Sequence, residues 1–435
     1  MSFHDAPIDP TSAERLAQSG LELRLVDLDD PAAHYGWLQA ERRGFHMTAG
    51  NDGQLAEVRA AAPRRRTVGV FDPESLIEAE PVATTQSWAA PLTVPGGAQV
   101  HTWCISSVTV APTHRRRGIA RALLEGELRA AAAAGLPLAA LTVSETTIYG
   151  RYGFGAATFA DVMEIETKRV RWTGPDAPGR VRFVEPSRLL PDALRITDAV
   201  RAFQPGALRY DEHLLGTAIG LYGDDREKLR TVRYDDANGV PQGFACYGLT
   251  PTEGDFTKHT ATVRYLLGAT DEAVAALWRF LLELDLVSTV RATERPVDEP
   301  AVWQLGDLRA ARRRRSDRLW LRVLDVPAAL AARRYAAPVS LVLEVDDPYG
   351  FAAGRFLLEA GADGAGHVAR LEGEAPEGAA SVALPVSELS AIYLGGVAAT
   401  TLARAGRITE HAPGAALVLE RAFAAERAPW LTLEF

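Results

Sequence analysis

Apolar residues recur along this chain with two periods, and the alternation between them predicts its elements. "LELRLVDLDD" alternates apolar and polar positions as a half-buried strand does, and "PAAHYGWLQAERRGF" follows with the Asp/Pro start of a helix. "EPVATTQSWAAPLTVPGGAQVHTWCISSVTV" reads as strands that turn at Pro95-Gly96-Gly97. "RRGIARALLEGELRAAAAAG" is an Ala/Leu-rich helix stopped by Gly135, with Pro137 beyond, and "LPLAALTV" is a buried strand. Antiparallel strands followed by strand, helix and strand predict an α/β sheet with a parallel pair near its centre.

The same order returns further on. "KLRTVRYDDANGVPQGFACYGL" is a hairpin with Asn238-Gly239 at its turn, "HTATVRYLLG" a strand, and "DEAVAALWRFLLELDL" a helix with Asp271 placed as its N-cap. Hairpin, long strand, helix and strand make a degenerate repeat of the first segment. A third stretch is α+β: "RLWLRVLDVPAALAARRY", strands "VSLVLEV", "GRFLLEAG" and "HVARLEG", helices at "PVSELSAIYLGG" and from Ala415 to Glu426, then "APWLTLEF". The turn-rich "WTGPDAPGRV" marks the first boundary, so the predicted domains are 1–170, 171–316 and 317–435. The last five residues alternate as a strand ending on Phe435. Burying that ring draws the α-carboxylate out of water, which is unfavourable unless the charge is used.

With 47% hydrophobic and 24% charged residues the composition is that of a globular protein. The start has no apolar core of signal-peptide length, and no stretch approaches the roughly 18 apolar residues of a membrane span. Cys104 and Cys246 sit far apart in apolar runs, which fits reduced thiols in the cytoplasm. A net charge of −9 gives no bulk attraction to nucleic acid or to an anionic membrane, and favours cationic small molecules. No histidine falls into H-E-x-x-H or a Cys/His zinc spacing, so no metal is expected, and there is no G-x-S-x-G elbow.

Three arginine clusters stand out: Arg64–Arg66, Arg115–Arg117 and Arg312–Arg315. The first and third read as solvated faces. The middle one lies in "CISSVTVAPTHRRRGIARALL", where a strand passes through a short loop and Gly118 into a helix. That arrangement offers backbone N–H groups, a helix dipole and guanidinium groups to an anion. It is neither a P-loop nor a Rossmann turn. Arg115-Arg116-Arg117-Gly118-Ile119-Ala120 resembles the acyl-CoA loop, R/Q-x-x-G-x-G/A, of GNAT acetyltransferases. The combination "SVTVAPTHRRRG…LTVSETTIYGRYGFG", with "LWLRVLDVPAALAARRY", "IYLGG" and the terminal "EF", resembles the Eis (enhanced intracellular survival) acetyltransferases over essentially the whole chain.

The resemblance implies two fused GNAT-like domains and a third like sterol carrier proteins, and assembly as a homo-hexamer. It implies acetyl transfer from acetyl-CoA to amines, notably those of aminoglycosides. Carried over residue by residue, Val108, Thr109 and Val110 would line the pantetheine. Arg116, Arg117, Gly118, Ile119, Ala120 and Arg121 would hold the pyrophosphate, with Ser144 and Glu145 near the cofactor. Tyr149 would be the general acid and the Phe435 carboxylate the general base. A tyrosine, with a reference pKa of about 10, can protonate a departing thiolate. A terminal carboxylate starts near 3.5, and burial would raise it.

The second segment has "VRYLLGATDEA" where the first has "VTVAPTHRRRG"; with acids at the helix start, that repeat reads as structural. The first helix region, "GWLQAERRGFHMTAGND", has no acid around His46-Met47, where the family places one. Trp37, Phe45 and Glu434 are the candidates for the acceptor pocket. Acylation of protein lysines or polyamines is the alternative enzyme reading. A lipid-binding or scaffolding protein with a relic GNAT fold is the alternative from another class.

Overall fold

The computed structural model describes residues 3–61, 63–223 and 226–435. Two seven-stranded sheets share one plan. In the first, strands Glu22–Leu25, Arg66–Phe71, Ala83–Thr93 and Gln99–Val110 pair antiparallel in turn, and Leu138–Thr142 then adds parallel to the last of them. In the second, Arg180–Phe183, Leu229–Asp235, Pro241–Thr252 and Asp255–Gly268 pair antiparallel, and Val287–Pro296 adds parallel. The predicted internal repeat is therefore present as sheet topology.

Each sheet is completed by a strand from outside its predicted segment. Phe159–Glu166 joins the second sheet, antiparallel to Val287–Pro296. Leu319–Val323 returns to the first, antiparallel to Leu138–Thr142. The second sheet thus begins at Phe159, before the predicted 171, and ends at Asp317, while the strand that follows pairs back to the first sheet. A turn-rich linker marks where the backbone is exposed; it does not say which open edge the flanking strand will pair with.

The third sheet has five strands, with Val339–Asp346 central and parallel to Ala380–Pro385. Its core is continuous with the first sheet. Leu321, Val323, Leu341, Val386 and Leu419 lie in one buried cluster with Leu92, Cys104 and Ala140. Both cysteines are buried free thiols. No helix among the described residues is long and apolar enough to cross a membrane.

Three local expectations change. The helix Asp271–Leu282 is capped by Thr270, whose hydroxyl accepts the Ala273 N–H, and not by Asp271. Of Arg64–Arg66 only Arg64 is solvated. Arg66 is 2% exposed and ion-paired to buried Glu127, because its side chain points inward from a strand buried on both faces. Leu431–Phe435 is no strand: it crosses between the first two sheets, with Thr432 buried beside Leu431. Side chains replace the ladder there, the Tyr210 hydroxyl donating to Leu433 O at 2.8 Å and accepting the Leu433 N–H at 3.0 Å.

Candidate active site

The parallel strands Gln99–Val110 and Leu138–Thr142 stay in register through Ile105 and Leu141, then part. The opposite edge of Gln99–Val110 carries a bulge. Thr84 faces Thr109 while Gln86 faces Ser106, so one extra residue is accommodated, and Ser107 takes a left-handed φ of +56°. A β-branched or bulky residue would be strained there; serine tolerates it at about 1–3 kcal/mol. Thr84 Oγ1, donating to Ser107 O at 2.7 Å, holds the bulge in place. Beyond Ile105 the backbone of this strand faces the gap with no ladder partner on that side, leaving N–H groups for a ligand's carbonyls.

The gap is a cavity of about 410 Å³. It is lined by Val108 and Ser107 from one strand, Thr142 and Ser144 from the other, Tyr149, and the terminal Glu434 and Phe435. Thr142 Oγ1 donates to a terminal oxygen of Phe435 at 2.8 Å. Trp88 meets the Phe435 ring edge-on at 5.3 Å, and Arg65 stacks over Trp88 at 3.7 Å while pairing with Asp211 of the second domain at 2.6 Å. Thr142 thus holds the terminal carboxylate beside the parted strands, and Trp88, itself covered by Arg65, holds the ring of the same residue. Tyr149 is 7% exposed. Burial pushes its hydroxyl up, and the nearby Glu145 carboxylate and Tyr152 add to that, so at neutral pH it carries its proton.

In the loop that follows the strand Gln99–Val110, Gly118 precedes the helix Ile119–Ala133 with φ +77°, and a Cβ built on it would meet nothing within 4 Å. Among the described residues no side chain caps this helix, so its first N–H groups stay available. Arg115 and Arg116 are exposed, and Arg116 has a left-handed φ of +64°. Arg117 donates to Ser19 O at 2.9 Å, and Arg121 is tied to Glu125 on its own helix at 2.5 Å. The free guanidinium groups are thus those of the loop itself.

The structure brings Val108, Ser144, Tyr149, Phe45, Glu434 and Phe435 to one cavity. Thr109 is buried on the opposite side of its strand, its hydroxyl 2.6 Å from that of Thr84; Val110 is half-buried and Glu145 exposed. Trp37 is not at the site. It is 1% exposed, donates Nε1 to Val68 O at 2.9 Å, and packs with Val26, Leu38 and Phe71. A tryptophan at helical spacing from other apolar residues turned inward with them. Sequence reading also missed Glu41, one turn before Phe45, which accepts a hydrogen bond from Ser107 at the cavity wall. Burial pushes its carboxyl up, with the Ser107 bond and nearby Arg42 and Arg65 opposing. The signal for Glu41 was present in the helix period, because it lies four residues from Trp37 and so on the same inward side.

Family profiles match the chain in three blocks: GNAT acetyltransferase domains over residues 30–157 and 210–323, and a sterol carrier protein domain over 326–432. An uncharacterized N-acetyltransferase of Streptomyces griseus is 37% identical over 414 residues, which is 92% of this chain and 97% of that protein. N-acetyltransferase Eis of Mycobacterium tuberculosis is 36% identical over 359 residues, 79% of this chain and 83% of its own. The chain belongs to the Eis family. The crystal structure of Eis1 from Mycobacterium abscessus superposes with a TM-score of 0.79 at 28% identity, covering 95% of this chain and 100% of that one.

As an Eis-family N-acetyltransferase the protein is an acyltransferase, and its GNAT fold implies the use of acetyl-CoA. The residues present fit that donor. The loop before Ile119 leaves space at Gly118 for a phosphate against the backbone, with Arg115 and Arg116 unpaired among the described residues. The parted strands themselves hold the cavity that Tyr149 lines.

Proposed function

We propose that this protein transfers an acetyl group from acetyl-CoA directly to a primary amine of a cationic small molecule, aminoglycosides being one such class. The observation that carries the reading is the single cavity that joins Tyr149 to the Thr142-anchored carboxylate of Phe435. The terminal carboxylate receives a proton from the acceptor's ammonium group, directly or through a water, and the freed amine attacks the thioester carbonyl. Backbone N–H groups at the Ser107–Val108 bulge face the oxygen where negative charge develops. Tyr149 gives its proton to the sulfur as the carbon–sulfur bond breaks, and the proton that the attacking nitrogen sheds returns to the tyrosinate oxygen directly or through a water, so the products are an amide and free CoA thiol. Glu434 and the terminal carboxylate give the acceptor end a negative lining suited to polycations. No acid stands at His46-Met47; Glu41, one turn earlier in the chain, accepts from Ser107 of the cavity wall.

The test is thiol release from acetyl-CoA across a panel of aminoglycosides, polyamines and lysine peptides, with wild type and Tyr149→Phe. Small polycations are expected to be turned over. Tyr149→Phe is expected to lower kcat roughly 10²-fold or more with CoA affinity unchanged. Wild-type kcat in that variant would make Tyr149 a packing residue, and turnover of peptides alone would replace the acceptor class.

A further inference from the structure

The second sheet repeats the geometry of the active site. Asp255–Gly268 and Val287–Pro296 run parallel from His259 to Val263 and then part. The gap there is a cavity of about 260 Å³, with the helix Asp271–Leu282 starting at its rim. Arg295 spans the gap, donating from Nη1 to Leu266 O at 2.6 Å and from Nε to Glu299 Oε2 at 2.8 Å. Glu299 lines the cavity and is 1% exposed; among the described residues its other oxygen, Oε1, has no hydrogen-bond partner. A buried carboxylate oxygen left without a donor is costly, and a ligand donor removes that cost. Leu267, Val274 and Trp430 supply apolar walls, and Asp271 and Asp298 stand with Glu299 against Arg295 and Arg427. Arg295 is occupied as described, and Arg427 lies over the Phe203 ring at 4.7 Å.

We propose that this cavity is a second ligand site, for a small organic cation with a primary ammonium group on an apolar body. The ammonium donates to Glu299 Oε1, and the body lies against Trp430 and the aliphatic wall. Three carboxylates at one cavity exclude a pyrophosphate, which sets this site apart from its counterpart in the first sheet. Its position gives it reach: Trp430 is the wall of this cavity and Phe435 the wall of the catalytic one, so one run of the chain touches both.

The probe is 2-phenylethylammonium chloride, titrated calorimetrically into the full chain, with uncharged 2-phenylethanol as its control. Val274→Trp fills the cavity from a half-buried helix position outside the catalytic machinery, and Glu299→Gln removes the acceptor's charge. We expect the cation to bind and the alcohol to bind at least about tenfold more weakly, the order expected for one charged hydrogen bond. Val274→Trp should weaken the cation about tenfold or more while acetyl transfer and the unliganded melting temperature stay at wild-type levels. Glu299→Gln should weaken the cation to a similar degree, with a lowered melting temperature because buried Arg295 loses its counter-charge. Equal binding of amine and alcohol, equal binding by wild type and Val274→Trp, or no heat at millimolar amine would each overturn the proposal.

Discussion

At the scale of single residues, two polar contacts decide how the chain's end behaves. Thr142 holds a terminal oxygen of Phe435 at 2.8 Å. Thr142→Val keeps the shape and removes the donor, so the carboxylate is no longer fixed against the parted strands. A hydrogen bond to a charged group is worth about 1.5–3 kcal/mol, and kcat should fall about tenfold or more with CoA affinity intact. Steady-state kinetics beside a CoA titration checks this. Behind the terminus, Glu434 pairs with Arg318 at 3.2 Å, and Arg318 reaches Glu294 at 3.5 Å. Glu294 is pushed up to about 7 by burial and by the facing Glu434 charge, against the pull of Arg318. Between its ordinary value near 4.5 and about 7 the native state therefore holds a proton that the unfolded chain has lost. Stability falls as pH rises through that window. Glu294→Gln should flatten the dependence of Tm on pH there and raise Tm above 7 relative to wild type; an unchanged slope would mean Glu294 ionises in the native state as it does in water.

At the scale of elements, the loop that carries Tyr149 is held by a strand from the far side of the second domain. Arg322, on Leu319–Val323, donates from Nε to Tyr152 O at 2.7 Å and from Nη2 to Asp347 Oδ1 at 2.7 Å, and neither charged side chain is exposed to solvent. Asp347 also accepts N–H bonds from Tyr349 and Ala352, which fixes the third domain's loop against the first. Asp347→Ala leaves a buried, uncompensated guanidinium and should cost about 3–5 kcal/mol; urea denaturation measures it. Adding Arg322→Met should restore part of the loss, since the orphaned charge goes too. Neither partner was legible in the sequence. A strand written "LWLRV" gives no sign that its arginine faces a core, and Asp347 lies 25 residues away in another domain. What was legible had local causes: the Gly118 turn, the Asn238-Gly239 hairpin, the helix stop at Gly135. Phe45, Glu434 and Phe435 reached the cavity as expected, whereas Trp37 went to the core. Apolar size alone does not distinguish a pocket wall from packing.

At the scale of the whole molecule, the second sheet is one continuous run of chain from Phe159 to Asp317, whereas the first is closed by Leu319–Val323 from beyond it. The third domain shares a buried cluster with the first. The two GNAT domains should therefore melt in one calorimetric transition; two resolved transitions would show that the returning strand contributes little. The return also sets a clock on synthesis. Thr142 ends the strand whose open edge is covered by Leu319, and residues 143–318, 176 in number, are made in between. At the usual 5–20 residues per second that is roughly 9–35 s, during which an apolar edge, "LAALT", stays unpaired beside the ribosome. An unpaired edge of that kind recruits other strands. The yield of active enzyme should accordingly depend on how fast the second half is translated and on chaperones that cover the first half while it waits.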